Sequence, residues 1–146
     1  MKYRKIMIFG RPGSGKSTWA YGLSKRTGIP LYHLDKYFFT QGWKERPLDE
    51  FMDLQQELVQ KPCWIIDGNS IHSLQTRWSM ADVVLYFNFS RRVCLFRLIK
   101  RVFYKPAYID DRAENCPEVL RFRLIKYMWT FEKRVNANIK RLKAMY

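Results

Sequence analysis

The sequence predicts a three-layer α/β fold in which helices cover both faces of a parallel sheet. Apolar residues form four short runs, at positions 6–9, 31–34, 63–66 and 83–87. The runs are continuous and do not alternate with polar residues, as is typical of strands that are buried on both faces. We therefore expect four strands joined by helices, the helix before the fourth strand being optional, and two or three helices after the last strand.

The composition is that of one globular domain, residues 1–146. Hydrophobic residues make up 47% of the chain, and no apolar stretch approaches the roughly 20 residues that cross a bilayer. The three cysteines are far apart and lack any Cys-x-x-Cys or Cys/His pairing, so neither a disulfide framework nor a zinc site is predicted. These features predict a cytoplasmic protein without a membrane partner.

The first strand leads into the most specific motif of the chain. Residues 10–17 read Gly-Arg-Pro-Gly-Ser-Gly-Lys-Ser, which matches G-x-x-x-x-G-K-[ST], and a segment with helical spacing follows. In such a phosphate loop, backbone N–H groups hold phosphates, Lys16 reaches the β/γ-phosphates and Ser17 binds Mg²⁺. This P-loop NTPase motif predicts ATP and Mg²⁺ as cofactors, with the nucleotide bound by Gly10, Arg11, Pro12, Gly13, Ser14, Gly15, Lys16, Ser17 and Thr18.

The second strand is predicted to finish at Asp35. Because ligands bind at the carboxyl ends of parallel strands, we expect this carboxylate in the same crevice as the phosphate loop. It could orient or deprotonate an acceptor hydroxyl, hold a water molecule of the metal ion, or cap the next turn. The aromatic stretch Tyr37–Trp43 either stacks against a base or sugar or packs within its own loop. A helix is expected from Pro47 to near Pro62.

The third strand ends at Asp67, directly before Gly68. An aspartate at the end of an apolar strand has the position of the Walker B carboxylate on the Mg²⁺ side of a nucleotide site. The alternative is a solvated turn aspartate before a glycine. His33 and His72 have no partner pattern and are assigned to structural or surface positions.

Three arginines after the fourth strand are candidates for catalysis. Arg97 and Arg101 stand at i and i+4 of a helix predicted from Arg91 to Phe103, so they share one helix face. Arg112 lies in the irregular segment that follows. An arginine can donate to two phosphoryl oxygens at once, and the alternative is an ordinary surface charge. The residues of this helix expected to face the sheet are Leu95, Leu98, Ile99 and Val102.

The last part of the chain combines helical pattern with positive charge. A helical region is expected from Pro117 to the C-terminus and could be broken near Thr130. Residues 91–146 carry most of the formal net charge of +14, which attracts polyanions. Because no helix-turn-helix, zinc or RNA-recognition signature is present, any nucleic-acid binding is expected to be weak and non-specific.

Several segments together resemble the adenylate-kinase-like branch of P-loop kinases, and most specifically small bacterial proteins known as DNA topology modulation proteins. The resemblance implies an acceptor-binding arm at about residues 36–62 and a lid at about 104–117. It also implies that Arg97, Arg101 and Arg112 close over the phosphates. The matching segments are Ile6–Thr18, Gly28–Asp35, Gly42-Trp43, Trp64–Asn69, Ala81-Asp82 and Cys116-Pro117-Glu118.

Three features depart from the family pattern. Asn69-Ser70-Ile71 follows Asp67-Gly68 where nucleoside monophosphate kinases have Phe-Pro-Arg. Asn88 stands where relatives often have aspartate. No fifth strand is recognised after the fourth.

The sequence favours ATP-dependent phosphoryl transfer to a small-molecule acceptor that it does not identify. The predicted catalytic residues are Lys16, Asp35, Arg97, Arg101 and Arg112, and the predicted metal-binding residues are Ser17 and Asp67. One alternative is a nucleotide-regulated nucleic-acid-binding protein that affects DNA topology. Another is a nucleotide-binding pseudokinase.

Overall fold

The computed structural model describes residues 3–104, 110–113, 115–116 and 120–146. Within these residues the sheet consists of four parallel strands, β1 (Lys5–Gly10), β2 (Leu31–His33), β3 (Trp64–Asp67) and β4 (Val83–Phe87). Their order in space is β2-β3-β1-β4, so the first strand is central. The predicted P-loop NTPase architecture, a parallel α/β sheet with the phosphate loop after its first strand, is confirmed.

Helices connect the strands and follow the last one. α1 begins after Gly15 and ends before Gly28, and both glycines have left-handed backbone, with φ of 88° and 71°. Among the described residues, no helix is both long and apolar enough to cross a membrane. The described helices are α1 (Lys16–Thr27), α2 (Leu34–Phe38), a 3₁₀ helix (Gln41–Trp43), α3 (Leu48–Gln60), α4 (Leu74–Met80), α5 (Arg91–Phe103) and α6 (Phe122–Met145).

The sheet has an apolar core on each face, which explains the continuous apolar runs. Successive side chains of a strand point to opposite faces. Met7 and Phe9 of β1 accordingly join a core that includes residues of α3, α4 and α6. Ile6 and Ile8 join a second core that includes Ala20 of α1. The two cores make the fold three-layered.

The structure answers one open question about the last helix, whether it is broken near Thr130. α6 is continuous through Thr130, whose hydroxyl donates to the Lys126 carbonyl at 2.9 Å, so the polar side chain is satisfied without breaking the helix. The described helix begins at Phe122, and Leu120 and Arg121 before it are not helical. The predicted start at Pro117 lies outside the described residues.

The second strand ends before the predicted end at Asp35. β2 ends at His33 and the chain turns at once into α2, so Asp35 lies in the first turn of a helix and not at a strand end. Leu34, the first residue of α2, is 1% exposed and packs over Gly68, where an added Cβ would stand 2.5 Å from the Leu34 Cβ.

The apolar residues of α5 are not all covered. Cys94 and Leu98 are buried, whereas Ile99 and Val102, which were expected to face the sheet, are 42% and 39% exposed. The two buried residues face the phosphate loop, where a Cβ on Gly13 would stand 2.5 Å from the Cys94 carbonyl oxygen and 2.9 Å from Leu98 Cγ. Only a narrow stripe of the helix is therefore covered.

Candidate active site

The phosphate loop is held close to β4 and α5. Gly10 and Gly13 have positive φ angles of 152° and 80°, and a Cβ on Gly10 would stand 2.5 Å from the Phe87 carbonyl oxygen. Gly15 directly precedes α1. Glycine is required where the backbone takes such angles and passes so near its neighbours. The loop therefore presents backbone N–H groups and the N-terminus of a 12-residue helix at the end of the central strand.

Arg11 anchors the phosphate loop to α6. Its side chain is 2% exposed, Nη1 donates to the Phe89 carbonyl at 2.9 Å, and Nη2 lies 2.8 Å from Glu132 Oε1. The guanidinium is thus engaged inside the protein. Arg11, one of the predicted nucleotide-binding residues, can therefore contact a nucleotide only through its backbone.

The ends of β2 and β3 place Asp67 beside the phosphate loop. Strand register puts Asp67 next to Ile8 of β1 and His33 of β2. Asp67 Oδ2 accepts a hydrogen bond from Ser17 Oγ at 2.7 Å and lies 2.9 Å from His33 Nδ1. The predicted proximity of Asp67 and Ser17 is therefore present in the structure.

The electrostatic environment keeps Asp67 ionised. The residue is 4% exposed, and burial disfavours its charge. The hydrogen bond from His33, the positive charge of Lys16 and the hydrogen bond from Ser17 outweigh burial and hold the pKa of Asp67 below its usual value. An ionised carboxylate therefore faces the phosphate loop.

The oxygen atoms at this position fit Mg²⁺. Asp67 Oδ1 is buried and makes no hydrogen bond, while Ser17 Oγ lies beside the other carboxylate oxygen. Within the described part of the chain, no group of three or more His, Cys, Asp or Glu residues could hold a metal. Mg²⁺ commonly takes one or two protein oxygens and completes its shell with water and phosphate oxygens. Ser17 and Asp67 would hold it.

His33 was missed by the sequence analysis. It has no motif, and its place at the site follows only from the pairing of β2 with β3, which sets it beside Asp67. The sequence signal that could have indicated His33 is its position near the carboxyl end of an apolar run. The carboxyl ends of parallel strands meet at one edge of the sheet, and Asp67 lies at the same edge.

A polar cleft opens next to the phosphate loop. Asp35 reaches it from α2, and its carboxyl group makes no hydrogen bond with any described residue. The Asp35 side chain is exposed to solvent, but nearby protein groups displace part of its hydration, and this partial loss of water raises its pKa. The charges of Asp67 and Asp111 add to this rise, and that of Lys16 opposes it. The cleft is lined by Lys16, Ser17, His33, Asp35, Asp67, Gly68, Asn69 and Asp111.

Asn69 and Arg77 fix the turn after β3. Asn69 Oδ1 accepts a hydrogen bond from the Gly10 N–H at 3.0 Å and so ties this turn to the phosphate loop. Arg77, fully buried, donates to the carbonyl oxygens of Gly68 and Ser70 at 3.1 and 2.7 Å. Burial lowers the pKa of Arg77 to about 9. This arginine is therefore a positioning residue for the turn and does not reach the cleft surface.

The candidate arginines on α5 have different surroundings. Arg97 Nη1 donates to the Ser14 carbonyl at 2.9 Å, and its guanidinium lies over the Phe89 ring. Arg101 lies further along the helix, where its Nη2 donates to Asp111 Oδ2 at 3.0 Å. Both point toward the side of the molecule that carries the phosphate loop and cleft.

Arg112 belongs to the segment predicted to form a lid. Its Nη1 donates to the Cys116 carbonyl at 3.1 Å, and its Nε lies 3.7 Å from Asp111 Oδ1. Residues 105–109, 114 and 117–119 of the region lie outside the described residues. Closure of a lid over bound phosphates stays a prediction.

Comparisons with known proteins add two structural likenesses. No protein-family model and no curated protein sequence matches the chain. A sugar kinase from Janibacter sp. HTCC2649, in an unliganded structure, aligns with 17% identity over 89% of this chain and 94% of that chain, with a TM-score of 0.46. Deoxyadenosine kinase from M. mycoides, with dCMP and a flexible dCDP bound, aligns with 16% identity over 92% and 84%, with a TM-score of 0.46. Likeness at this level identifies neither substrate nor reaction.

Proposed function

We propose that this chain is a P-loop kinase that transfers the γ-phosphoryl group of ATP to a hydroxyl group of a small molecule. The observation that carries the proposal is the cleft in which the phosphate-loop residues Lys16 and Ser17 face Asp35, a carboxyl group with no hydrogen-bond partner among the described residues. In this proposal residues 1–146 act as one domain, 36–62 form the acceptor arm and 104–117 the lid. A cytoplasmic location, where ATP and Mg²⁺ are available, belongs to the same proposal.

In this proposal, different residues of the cleft bind the phosphates and the metal ion. Backbone N–H groups of residues 13–18 and the Lys16 ammonium would hold the β- and γ-phosphates. Ser17 and Asp67 would hold Mg²⁺, which when bound neutralises charge on the phosphate oxygens. Arg97, at the Ser14 carbonyl, is close enough to the loop to contact the triphosphate.

Asp35 is the proposed general base. Its raised pKa makes it a better proton acceptor than an ordinary aspartate. The acceptor O–H bond breaks and its proton goes to the Asp35 carboxylate. The acceptor oxygen bonds to the γ-phosphorus, the bridging bond between the γ-phosphorus and its oxygen to the β-phosphate breaks, and ADP leaves. Arg101 and Arg112, beside Asp111, are the proposed lid arginines.

Removal of the Lys16 charge tests the proposal. Lys16→Ala should weaken ATP binding and abolish ADP production in an acceptor screen with ATP and Mg²⁺, because the β/γ-phosphates lose their ammonium partner. Lys25→Ala, an exposed lysine on the same helix, is the matched control. Unchanged nucleotide affinity in the Lys16 variant contradicts the proposal. If the wild-type protein binds nucleotide but turns over no acceptor, the result favours the pseudokinase.

A nucleic-acid-binding role is the second candidate, in keeping with the resemblance to DNA topology modulation proteins. The observation that favours it is the row of exposed basic residues on α6, which includes Lys133, Lys140 and Lys143. A charged surface without a base-reading motif binds phosphates weakly and loses affinity as salt rises. Sequence-selective DNA binding that survives about 200 mM salt would favour this function over the kinase function.

A further inference from the structure

The helices α5 and α6 pack side by side, and each leaves apolar side chains uncovered. The two helices meet in the buried cluster of Cys94, Leu98 and Met128. At one end of this contact, Arg91 Cζ lies 5.4 Å from the centre of the Trp129 ring. We use the name apolar strip for the exposed apolar residues Val93, Phe96, Ile99 and Phe103 on α5, and Phe122 and Trp129 on α6.

Helical spacing places the apolar strip on the outer side of the helix pair. Phe96, Ile99 and Phe103 stand at i, i+3 and i+7, so they share one face of α5. Cys94 and Leu98, on the opposite face, pack against the phosphate loop. On α6 the two exposed aromatic residues are seven positions apart and also share a face. The apolar strip therefore points away from the phosphate loop.

The charges within and beside the apolar strip are positive. Glu132 is the single acidic residue in the sequences of α5 and α6. It is already engaged, since its carboxylate oxygens lie 2.8 Å from Arg11 Nη2 and 3.8 Å from Arg91 Nη2. Four exposed basic residues, none of which forms an ion pair with a described residue, are Arg92 and Lys100 on α5, and Lys126 and Lys133 on α6.

The combination of apolar and basic residues indicates the kind of partner. A second copy of the chain would bring like charges together, because no carboxylate of these two helices is left to pair with them. A rigid protein surface would need a hollow for each projecting ring, such as that of Phe96, which is 67% exposed. A nucleic acid would pair with the charges but offers no apolar region for Val93 or Ile99. A fluid lipid surface accepts apolar side chains without matching hollows, and anionic headgroups pair with lysine and arginine.

We propose that the apolar strip and its basic residues bind the surface of a membrane that contains anionic phospholipids. Phe96, Ile99 and Trp129 enter the boundary between headgroups and acyl chains, while Lys100 and Lys126 pair with headgroup phosphates. The sequence analysis predicted no membrane partner because it found no segment that spans a bilayer, and a helix pair that lies on the surface needs none. The phosphate loop stays accessible in this arrangement, since it lies on the other side of α5.

Co-sedimentation with vesicles tests the proposal. The full chain is mixed with vesicles of phosphatidylcholine and phosphatidylglycerol in equal parts and, separately, with vesicles of phosphatidylcholine alone. We expect binding to be roughly tenfold tighter with the anionic lipid and to weaken as the salt concentration rises, because headgroup charge contributes beside apolar insertion. Failure to bind the anionic vesicles overturns the proposal.

Substitutions at exposed positions separate insertion from charge. Phe96→Ser and Trp129→Ser should each weaken binding to the anionic vesicles roughly tenfold, and Lys100→Glu roughly threefold. The matched controls are Met145→Ser, exposed at the end of α6, and Lys25→Glu, exposed on α1. Each control should bind within about twofold of the wild-type protein, because neither position belongs to the apolar strip. Circular dichroism verifies that every variant is folded.

Three further outcomes would also overturn the proposal. Vesicle binding that neither Phe96→Ser nor Trp129→Ser weakens would come from the overall positive charge alone. A dimer in sedimentation equilibrium that Phe96→Ser dissociates would identify a second copy of the chain as the partner. DNA binding that Phe96→Ser weakens, in a protein that ignores vesicles, would assign the surface to nucleic acid. The proposed kinase function is independent of all these results.

Discussion

The two sides of the cleft are built in different ways. On the phosphate-loop side, Asp67 is bonded to Ser17 and His33, and Asn69 is bonded to Gly10, all within a largely buried framework. On the other side, Asp35 is unpaired among the described residues, and the pair Lys36–Asp110 is exposed. Buried hydrogen bonds fix geometry, whereas exposed ion pairs contribute only about 0–1 kcal/mol and exchange readily.

This contrast indicates that the two sides of the cleft have different roles. The side that would hold nucleotide and metal is organised by contacts that need no ligand. The side that would hold the acceptor keeps the Asp35 carboxyl group available for a ligand. A fixed phosphate site with an adaptable acceptor site suits a kinase, because the transferring group must be positioned before the acceptor reacts. The following predictions test the contrast, from the largest expected effect to the smallest.

Neutralising Asp67 should have the largest effect. Asp67→Asn removes the charge that faces Ser17 and His33, so we expect kcat to fall roughly 100-fold, as for groups that position metal ligands, with a much smaller change in nucleotide affinity. Steady-state kinetics across Mg²⁺ concentrations measures this, with Asp82→Asn, at an exposed aspartate outside the acceptor arm and the cleft, as control. A wild-type rate at every Mg²⁺ concentration would show that Asp67 is only a turn residue.

Removing the buried guanidinium of Arg77 should destabilise the fixed side. Arg77→Met leaves the carbonyl oxygens of Gly68 and Ser70 without their donors, so the free energy of unfolding should fall by about 2–3 kcal/mol. Urea unfolding of this variant and of Arg26→Met, an exposed control, gives the difference. Equal stability of the two variants would mean that the turn does not depend on Arg77.

Arg101→Ala should separate catalysis from stability. If Arg101 leaves Asp111 to contact the transferring phosphoryl group, kcat should fall roughly tenfold with little change in ATP affinity. The free energy of unfolding should change by no more than about 1 kcal/mol, because Arg101 is partly exposed and Arg112 remains beside the buried Asp111 carboxylate. The neighbouring exposed variant Lys100→Ala is the control. Normal kcat with altered salt dependence alone would assign Arg101 to the surface.

The two aspartates should shift stability in opposite directions with pH. The folded-state pKa of Asp67 lies below the ordinary 3.8, so its ionisation stabilises the fold above that pH and the effect is lost as pH falls through the lowered value. The folded-state pKa of Asp35 lies above 3.8, so its ionisation destabilises the fold as pH rises through the raised value.

Thermal unfolding of the asparagine variants checks this sign. At pH 7, Asp67→Asn should lower the midpoint temperature, whereas Asp35→Asn should raise it slightly. The gain in unfolding free energy for Asp35→Asn should be less than about 1 kcal/mol, because solvent reaches the site. Both differences from the wild-type protein should shrink toward pH 3. A shift in the same direction for both variants at pH 7 would contradict the contrast between the two sides.

The sequence by itself determined the features that depend on consecutive residues. The phosphate loop is readable because glycines, a lysine and a serine stand at fixed spacing between an apolar run and a helix. Asp67 was predicted because an aspartate directly follows a buried strand. The continuous apolar runs predicted a parallel sheet, since side chains of β1 enter cores on both faces.

Only the tertiary structure decided which distant residues meet. His33 and Asp67 are 34 positions apart, and Asn69 and Gly10 are 59 apart. Their contacts follow from strand order and register, which no local pattern encodes. The burial of Arg77 and the engagement of Arg11 with Glu132 likewise depend on packing between elements. A charged residue has the same letter whether it faces solvent, a ligand or a carbonyl oxygen, and only the surrounding fold determines which partner satisfies it.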